Sequence, residues 1–214
     1  MRAVEKLSIT VQSKVEHKMV ELKAKVDDLD VVRRKLTSLG TQHVGTFRQI
    51  DVYFNVPEGR LKLREVEGSN KAELIYYERE NIAGPKRSDV FILKIQKPEV
   101  FKNLLERLLK TSAIVEKVRE IYRYQGTPLA SKHRYVQIHL DDVEKLGTFV
   151  EFEMKTSDQR KKRDKQILEN LMKKLKIKTN QLEKHSYSDL FRREFRVAKK
   201  VGVRIRDDRF LGVQ

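Results

Sequence analysis

Ionisable side chains recur in this sequence on alternate residues of short runs, and their sign is sorted. Residues 20–26 read Val-Glu-Leu-Lys-Ala-Lys-Val, so Glu21, Lys23 and Lys25 share one face of an extended chain, and Val20, Leu22, Ala24 and Val26 the other. Arg60, Lys62 and Arg64 alternate with Leu61 and Leu63. Glu73, Ile75, Tyr77 and Arg79 follow in AELIYYER, then Lys117 and Arg119 in EKVREIYRY. Asp141 comes from YVQIHLD, together with Gln137 and His139, and Glu151 and Glu153 from TFVEFEMK. Basic groups dominate the earlier runs and acidic groups dominate 141–153. Period-two alternation of this kind is the mark of a β-strand with two unlike faces.

An ordinary antiparallel strand turns its charged face to water, which is the plain reading of any one of these runs. Six runs with the same pattern and a sorted sign fit another arrangement. A closed antiparallel barrel with helices outside buries the apolar faces against those helices and gathers the charged faces around an internal wet cavity. The expected fold class is therefore α+β, a closed β-barrel with packed helices. Its lining would hold the cations Lys23, Lys25, Arg60, Lys62, Arg64, Arg79, Lys117 and Arg119, and the carboxylates Glu21, Glu73, Asp141, Glu151 and Glu153. So many cations at close range repel one another unless they meet a densely negative ligand. A triphosphate, with about four negative charges, suits them because Lys and Arg donate charge-assisted bonds to phosphate oxygens. Carboxylates repel such a ligand unless a hard cation lies between, and Mg²⁺ or Mn²⁺ takes both carboxylate and phosphate oxygens.

The elements that must position these groups are legible. Further strands are expected at 48–55 (RQIDVYFN) and 90–95 (VFILKI). A helix is expected over DDLDVVRRKLTSLG, opening at Asp27 and Asp28 and stopping at Gly40. Others start at Pro98, with Val100, Phe101, Leu104, Leu105 and Leu108 on one side, and run through QRKKRDKQILENLMKKLKI; HSYSDLFRREF reads as a shorter one. Strand, helix and strands through 20–79 are echoed through 90–154, which hints at an internal two-fold repeat.

Composition frames this reading. The 214 residues carry a formal net charge of +16 and no Cys, so disulfides and thiolate metal sites are excluded and polyanionic partners are favoured. The N-terminus lacks a signal-peptide run, and no apolar stretch approaches the roughly 20 residues of a membrane span. A cytoplasmic protein without membrane attachment is expected, with the nucleus as the alternative compartment. The expected organisation is an extension at 1–16, a domain at 17–190 and a basic extension at 191–214, which alone holds eight basic and three acidic residues. The basic surface leaves polyphosphate or RNA open as partners. Oligomeric state is not legible.

Taken in order, VELKAKV, RQIDVYFNVPEGRLKLRE, AELIYYER, EKVREIYRY, VQIHLDDVEKLGTFVEFEM and YSDL resemble the CYTH superfamily, the class IV adenylyl cyclases and triphosphate-tunnel hydrolases, and particularly its eukaryotic members. The resemblance implies an eight-stranded antiparallel barrel holding a triphosphate such as ATP, thiamine triphosphate or tripolyphosphate with Mg²⁺ or Mn²⁺. It implies that Lys23, Lys25, Lys62, Arg64, Arg79, Lys117 and Arg119 grip phosphates and that Glu21, Asp141, Glu151 and Glu153 hold metal. Lys23, Glu21 and Glu153 form its catalytic set. Arg60 and Glu73 rest on alternation alone. The family signature is Glu-x-Glu-x-Lys, whereas this chain reads Met19-Val20-Glu21-Leu22-Lys23. Met is a poor ligand for hard Mg²⁺, so one metal is either lost or held by Glu151 and Glu153 instead. The expected function is hydrolysis of an organic or inorganic triphosphate, since no adenine pocket is legible. The alternatives are cyclisation of ATP to cyclic AMP and binding of polyphosphate, nucleotide or RNA without turnover.

Other groups read more plainly. His139 is expected to be structural or solvated rather than a base or nucleobase contact, and His17, His43, His133 and His185 lack metal spacing. Gly84-Pro85-Lys86 reads as a turn, Tyr53, Phe54, Tyr76 and Tyr77 as packing residues, and Arg160-Lys161-Lys162-Arg163 as a solvated helix face.

Overall fold

The computed structural model describes residues 11–126 and 134–200, with side chains described over 16–126 and 134–194. Residues 1–10 of the expected extension, His133 and residues 201–214 of the basic segment lie outside those bounds, whereas residues 11–16, expected in the extension, belong to β1. Eight strands alternate with helices in the order β1 (Val11–Lys25), α1 (Leu29–Ser38), β2 (Gln42–Phe54), β3 (Arg60–Val66), β4 (Lys71–Arg79), β5 (Lys86–Gln96), α2 (Pro98–Leu109), β6 (Thr111–Tyr124), β7 (Val136–Val143), β8 (Gly147–Lys155), α3 (Lys161–Lys174) and α4 (Tyr187–Lys200). Strand, helix and three strands thus occur twice in succession.

Every pairing is antiparallel, and the strands close into a barrel in the order β1-β5-β4-β3-β2-β6-β7-β8. Closure removes free sheet edges and leaves two surfaces, one inside and one outside. On β1 the even residues Val20, Leu22 and Ala24, with Val26 just beyond the strand, point outward into a buried apolar cluster with Ile138 and Leu140 of β7 and Val150, Phe152 and Met154 of β8. Val32 and Leu36 of α1 and Ile167, Leu168, Leu171 and Met172 of α3 cover this surface. On the far side α2 places Leu105, with Phe101 and Leu109, against Val52, Phe54, Leu63, Ala72 and Ile95. Each fully buried side chain of this size contributes about 1.5–3 kcal/mol, so the outer face is the principal core. The odd residues of β1 are thereby forced inward.

Local chemistry fixes the helices. Asp28 caps α1 by accepting from the backbone N–H of Asp30 at 2.7 Å and Val31 at 3.2 Å. Gly40, at φ +67°, ends that segment. Pro98 occupies the first turn of α2, where a missing N–H costs nothing. α4 is longer than expected because Tyr187 and Phe191 pack on Tyr53, Ala113, Val115, Val143, Leu146 and Phe149, which supports its first turns. No described helix is long and apolar enough to cross a membrane.

Candidate triphosphate and metal site

The inward faces of the strands enclose a cavity of about 270 Å³. Its walls include Lys23, Lys62, Arg64, Arg79, Arg119 and Lys155, and the carboxylates Glu21, Glu73, Glu151 and Glu153. Met19, Ile75, Val90 and Ile92 form an apolar stretch of the same wall. The groups come from separate strands, and the closed sheet with its alternating side chains brings them together.

The charges are arranged as buried pairs. Lys23, 3% exposed, lies 2.9 Å from Glu151 Oε1, and its Nζ sits 3.6 Å from the centre of the Tyr187 ring, a cation–π contact. Arg119 donates to both oxygens of Asp141, at 2.6 and 2.5 Å, and to Glu151 Oε2 at 2.6 Å. Arg79 donates to Glu21 Oε1 at 2.7 Å and to the Lys184 carbonyl at 3.2 Å. Burial pushes the Glu151 carboxyl up, but Lys23 and Arg119 outweigh it and hold it well below the usual range. Glu21 behaves oppositely. Burial raises it, and Glu153 and Glu151 raise it further, against the pull of Arg79.

Behind Lys62 and Arg64 lies a second cluster. Asp51, 0% exposed, accepts from Arg64 Nε at 2.7 Å and Nη2 at 2.9 Å, from Lys62 Nζ at 3.0 Å and from Lys117 Nζ at 2.6 Å. Burial alone would raise this carboxyl, but Arg64, Lys117 and Lys62 hold it well below the usual range. Three cations against one anion leave the lysines strained electrostatically. Burial, opposed by Asp51 and reinforced by neighbouring arginines, pushes Lys117 down to about 7, and burial with Arg64 takes Lys62 to about 8. A polyanion entering the cavity would relieve both.

The structure sorts the expected residues. Lys23, Lys62, Arg64, Arg79, Arg119, Glu21, Glu73, Glu151 and Glu153 all line the cavity. Four others do not. Lys25 is exposed at the end of β1, its Nζ 5.7 Å from the Phe149 ring centre, because the strand has run past the cavity there. Arg60 turns to Asp189 at 2.7 Å and Asn81 at 3.0 Å, bracing the start of α4. Lys117 serves Asp51. Asp141 is fully buried, with its oxygens committed to Arg119 and to the Tyr187 hydroxyl at 2.6 Å. It orients Arg119 and Tyr187.

Several participants escaped the sequence reading. Asp51 shares the inward phase of β2 with Gln49 and Tyr53, and that phase was the signal available. Lys86, expected in a turn, begins β5 and is fully buried, donating to the Glu183 carbonyl at 2.9 Å; burial brings it to about 8. Tyr187 was visible only as part of YSDL. Tyr53 and Tyr77 line the cavity as well as packing, whereas Phe54 belongs to the outer core. His139 is 3% exposed, as a structural histidine would be, yet it stands beside Glu151 and Glu153.

The donor set suits a hard divalent cation. Glu21 stands directly opposite Glu153 across the β1–β8 ladder, and Lys23 opposite Glu151. Like charges facing each other destabilise a sheet unless something lies between them. Among the described residues Glu153 has no cationic partner, so its charge is available to an ion. Met19, opposite Ser88 and Lys155, supplies no oxygen donor where the expected signature has Glu.

Comparison with known proteins agrees with this geometry. A protein of Methanocaldococcus jannaschii named "Putative adenylate cyclase" is 30% identical over 189 residues, covering 80% of this chain and 97% of that one. A Pyrococcus horikoshii protein of known structure is 28% identical, with a TM-score of 0.70 over 80% of this chain and 98% of its own. One from Pyrococcus furiosus is 25% identical, with a TM-score of 0.66 over 80% and 99%. The CYTH domain matches residues 17–187, and the chain belongs to the CYTH family.

Proposed function

We propose that this chain binds an organic triphosphate together with a divalent cation inside the barrel and cleaves a phosphoanhydride bond, with hydrolysis as its principal reaction. The observation that carries this reading is the convergence of six cations, Lys23, Lys62, Arg64, Arg79, Arg119 and Lys155, on one cavity whose wall also holds Glu21, Glu73, Glu151 and Glu153. The apolar stretch of Met19, Ile75, Val90 and Ile92 beside them favours an organic group over bare tripolyphosphate.

In this reading Lys23 and Arg119 exchange Glu151, and Arg79 exchanges Glu21, for phosphate oxygens. Arg64, Arg79 and Arg119 offer planar forks suited to two oxygens at once. They stabilise the charge that accumulates as the phosphoryl group transfers. Lys23, steadied on the Tyr187 ring, supplies a compact charge beside Glu151. Glu21, Glu151 and Glu153 would hold the cation, which when bound polarises phosphoryl oxygen and orients water. Asp141 and Asp51 keep Arg119 and Arg64 pointed inward.

Cyclisation of ATP is the second reading, favoured by the name of the Methanocaldococcus relative. It uses the same grip but presents the α-phosphorus to the ribose 3′ oxygen and releases pyrophosphate. The test is a screen of ATP, thiamine triphosphate and tripolyphosphate with Mg²⁺ and with Mn²⁺, reading orthophosphate, pyrophosphate and cyclic AMP. Orthophosphate from an organic triphosphate is expected. Cyclic AMP with pyrophosphate and no orthophosphate would reverse the order of the two readings. Tight binding without any product would leave a non-catalytic binder.

A further inference from the structure

We propose that His139, through its Nδ1, adds a nitrogen ligand to the carboxylates Glu151 and Glu153, with Glu21 opposite, for a single divalent cation, and that this nitrogen biases the site toward Mn²⁺ over Mg²⁺. The inference deepens the proposed function and rests on it for the presence of a cation.

Three observations converge. His139, Glu151 and Glu153 each offer a ligand atom, all within 4.8 Å of one another. They come from two neighbouring strands, where His139 stands directly opposite Glu151 in the β7–β8 ladder. The Nδ1 atom of His139 is buried and has no hydrogen-bond partner, although the residue is 97% buried by its 3% exposure. Its nearest carboxylate oxygen, Glu151 Oε2, lies at 3.7 Å, within ion-pair distance but too long for a hydrogen bond. A buried imidazole nitrogen left without a partner costs free energy, and such orphans call for a ligand or an ion. A cation between His139, Glu151 and Glu153 satisfies this nitrogen and neutralises the unpaired Glu153 at the same time.

The chemistry then selects among metals. Mg²⁺ keeps oxygen ligands and dehydrates reluctantly; Mn²⁺ shares its preference for carboxylates but, as a first-row transition ion, accepts a nitrogen donor more readily, though least strongly of that series. Met19 removes one oxygen donor from the wall that faces these residues, so the nitrogen weighs more in a smaller ligand set. Glu151 is already engaged by Lys23 at 2.9 Å and Arg119 at 2.6 Å. A polyphosphate that draws those two cations to itself frees the carboxylate, so cation and polyphosphate should strengthen each other's binding.

Mn²⁺ itself is the probe, read by electron spin echo spectroscopy and by titration calorimetry, on the whole chain and on His139→Gln. Expected results are a ¹⁴N coupling to bound Mn²⁺ in the parent protein, its loss in H139Q, and a fall in Mn²⁺ affinity of about tenfold. Mg²⁺ affinity should change by less than about threefold. Retained melting behaviour in H139Q shows that the fold survives; if it does not, the nitrogen coupling is read in His139→Asn, with His17→Gln as the control for the histidine that lines the cavity. Absence of that coupling, or equal Mn²⁺ affinity in the two proteins, overturns the proposal. Tripolyphosphate binding, measured separately on the parent protein, tests the reading of the site. Its failure with the coupling present would sink the triphosphate function and leave the histidine ligand standing.

Discussion

Asp51 and Glu153 are both carboxylates on inward strand faces, yet their surroundings are opposite. Asp51 receives Arg64, Lys62 and Lys117 and is completely buried. Glu153 faces another carboxylate, Glu21, and has no cation among the described residues. Around Asp51 the protein supplies its own anion to hold cations in place. Around Glu153 it leaves a carboxylate with no ion-pair partner among the described residues, which is where the proposed function places a cation. The first cluster is closed on itself, and in the proposed function the second is the one that takes a ligand.

The largest effect should come from breaking the first cluster. Asp51→Ala leaves three cations with no buried counter-charge and should cost about 3–5 kcal/mol in urea unfolding. Tripolyphosphate should restore more of the melting temperature in this variant than in the parent. A loss below about 1 kcal/mol would show that water, not Asp51, satisfies those cations. Glu153→Gln should do the reverse. It relieves a like-charge opposition, so stability should hold or rise by a few tenths of a kcal/mol, while metal-dependent turnover falls about a hundredfold. Steady-state kinetics and a thermal melt on the same sample separate the two effects.

A third expectation concerns pH. Lys117 and Lys62 sit near 7 and 8 in the folded protein, against the usual lysine value of about 10.5 in the unfolded chain. Between these limits the folded state binds fewer protons, so their contribution makes stability rise with pH, and it diminishes toward pH 7. Unfolding free energies at about pH 7, 8 and 9 should show that slope, below the range where the buried tyrosines titrate. Binding of a triphosphate should take up protons near pH 8, measurable by calorimetry in buffers of different ionisation enthalpy. The smallest effect is assigned to Lys25→Ala. Its exposed side chain lies outside the cavity, so triphosphate affinity should change by less than about twofold and stability by less than about 0.5 kcal/mol.

The pattern of alternation made the barrel legible, because Val20, Leu22, Ala24 and Val26 cannot face water while Glu21, Lys23 and Lys25 face a core. Helix limits followed from Asp28, Gly40 and Pro98. Alternation also identified most of the cavity wall. It could not separate Lys23 from Lys25, since both lie on the same face and only the length of the cavity along β1 tells them apart. Nor could it tell that Asp141 and Lys117 would be consumed by Arg119 and Asp51, because strand order in a closed barrel makes neighbours of residues far apart in sequence.

By itself, then, the amino-acid order determined which faces of the strands are charged, and hence that something polar lies inside. Tertiary structure alone decided which of those charges cancel within the protein and which remain for a ligand. The reason is physical: the face a side chain occupies is set by its immediate neighbours along the chain, whereas its electrostatic partner is set by barrel closure and by α4 bringing Tyr187 to Asp141 in the interior and Asp189 to Arg60 outside the cavity.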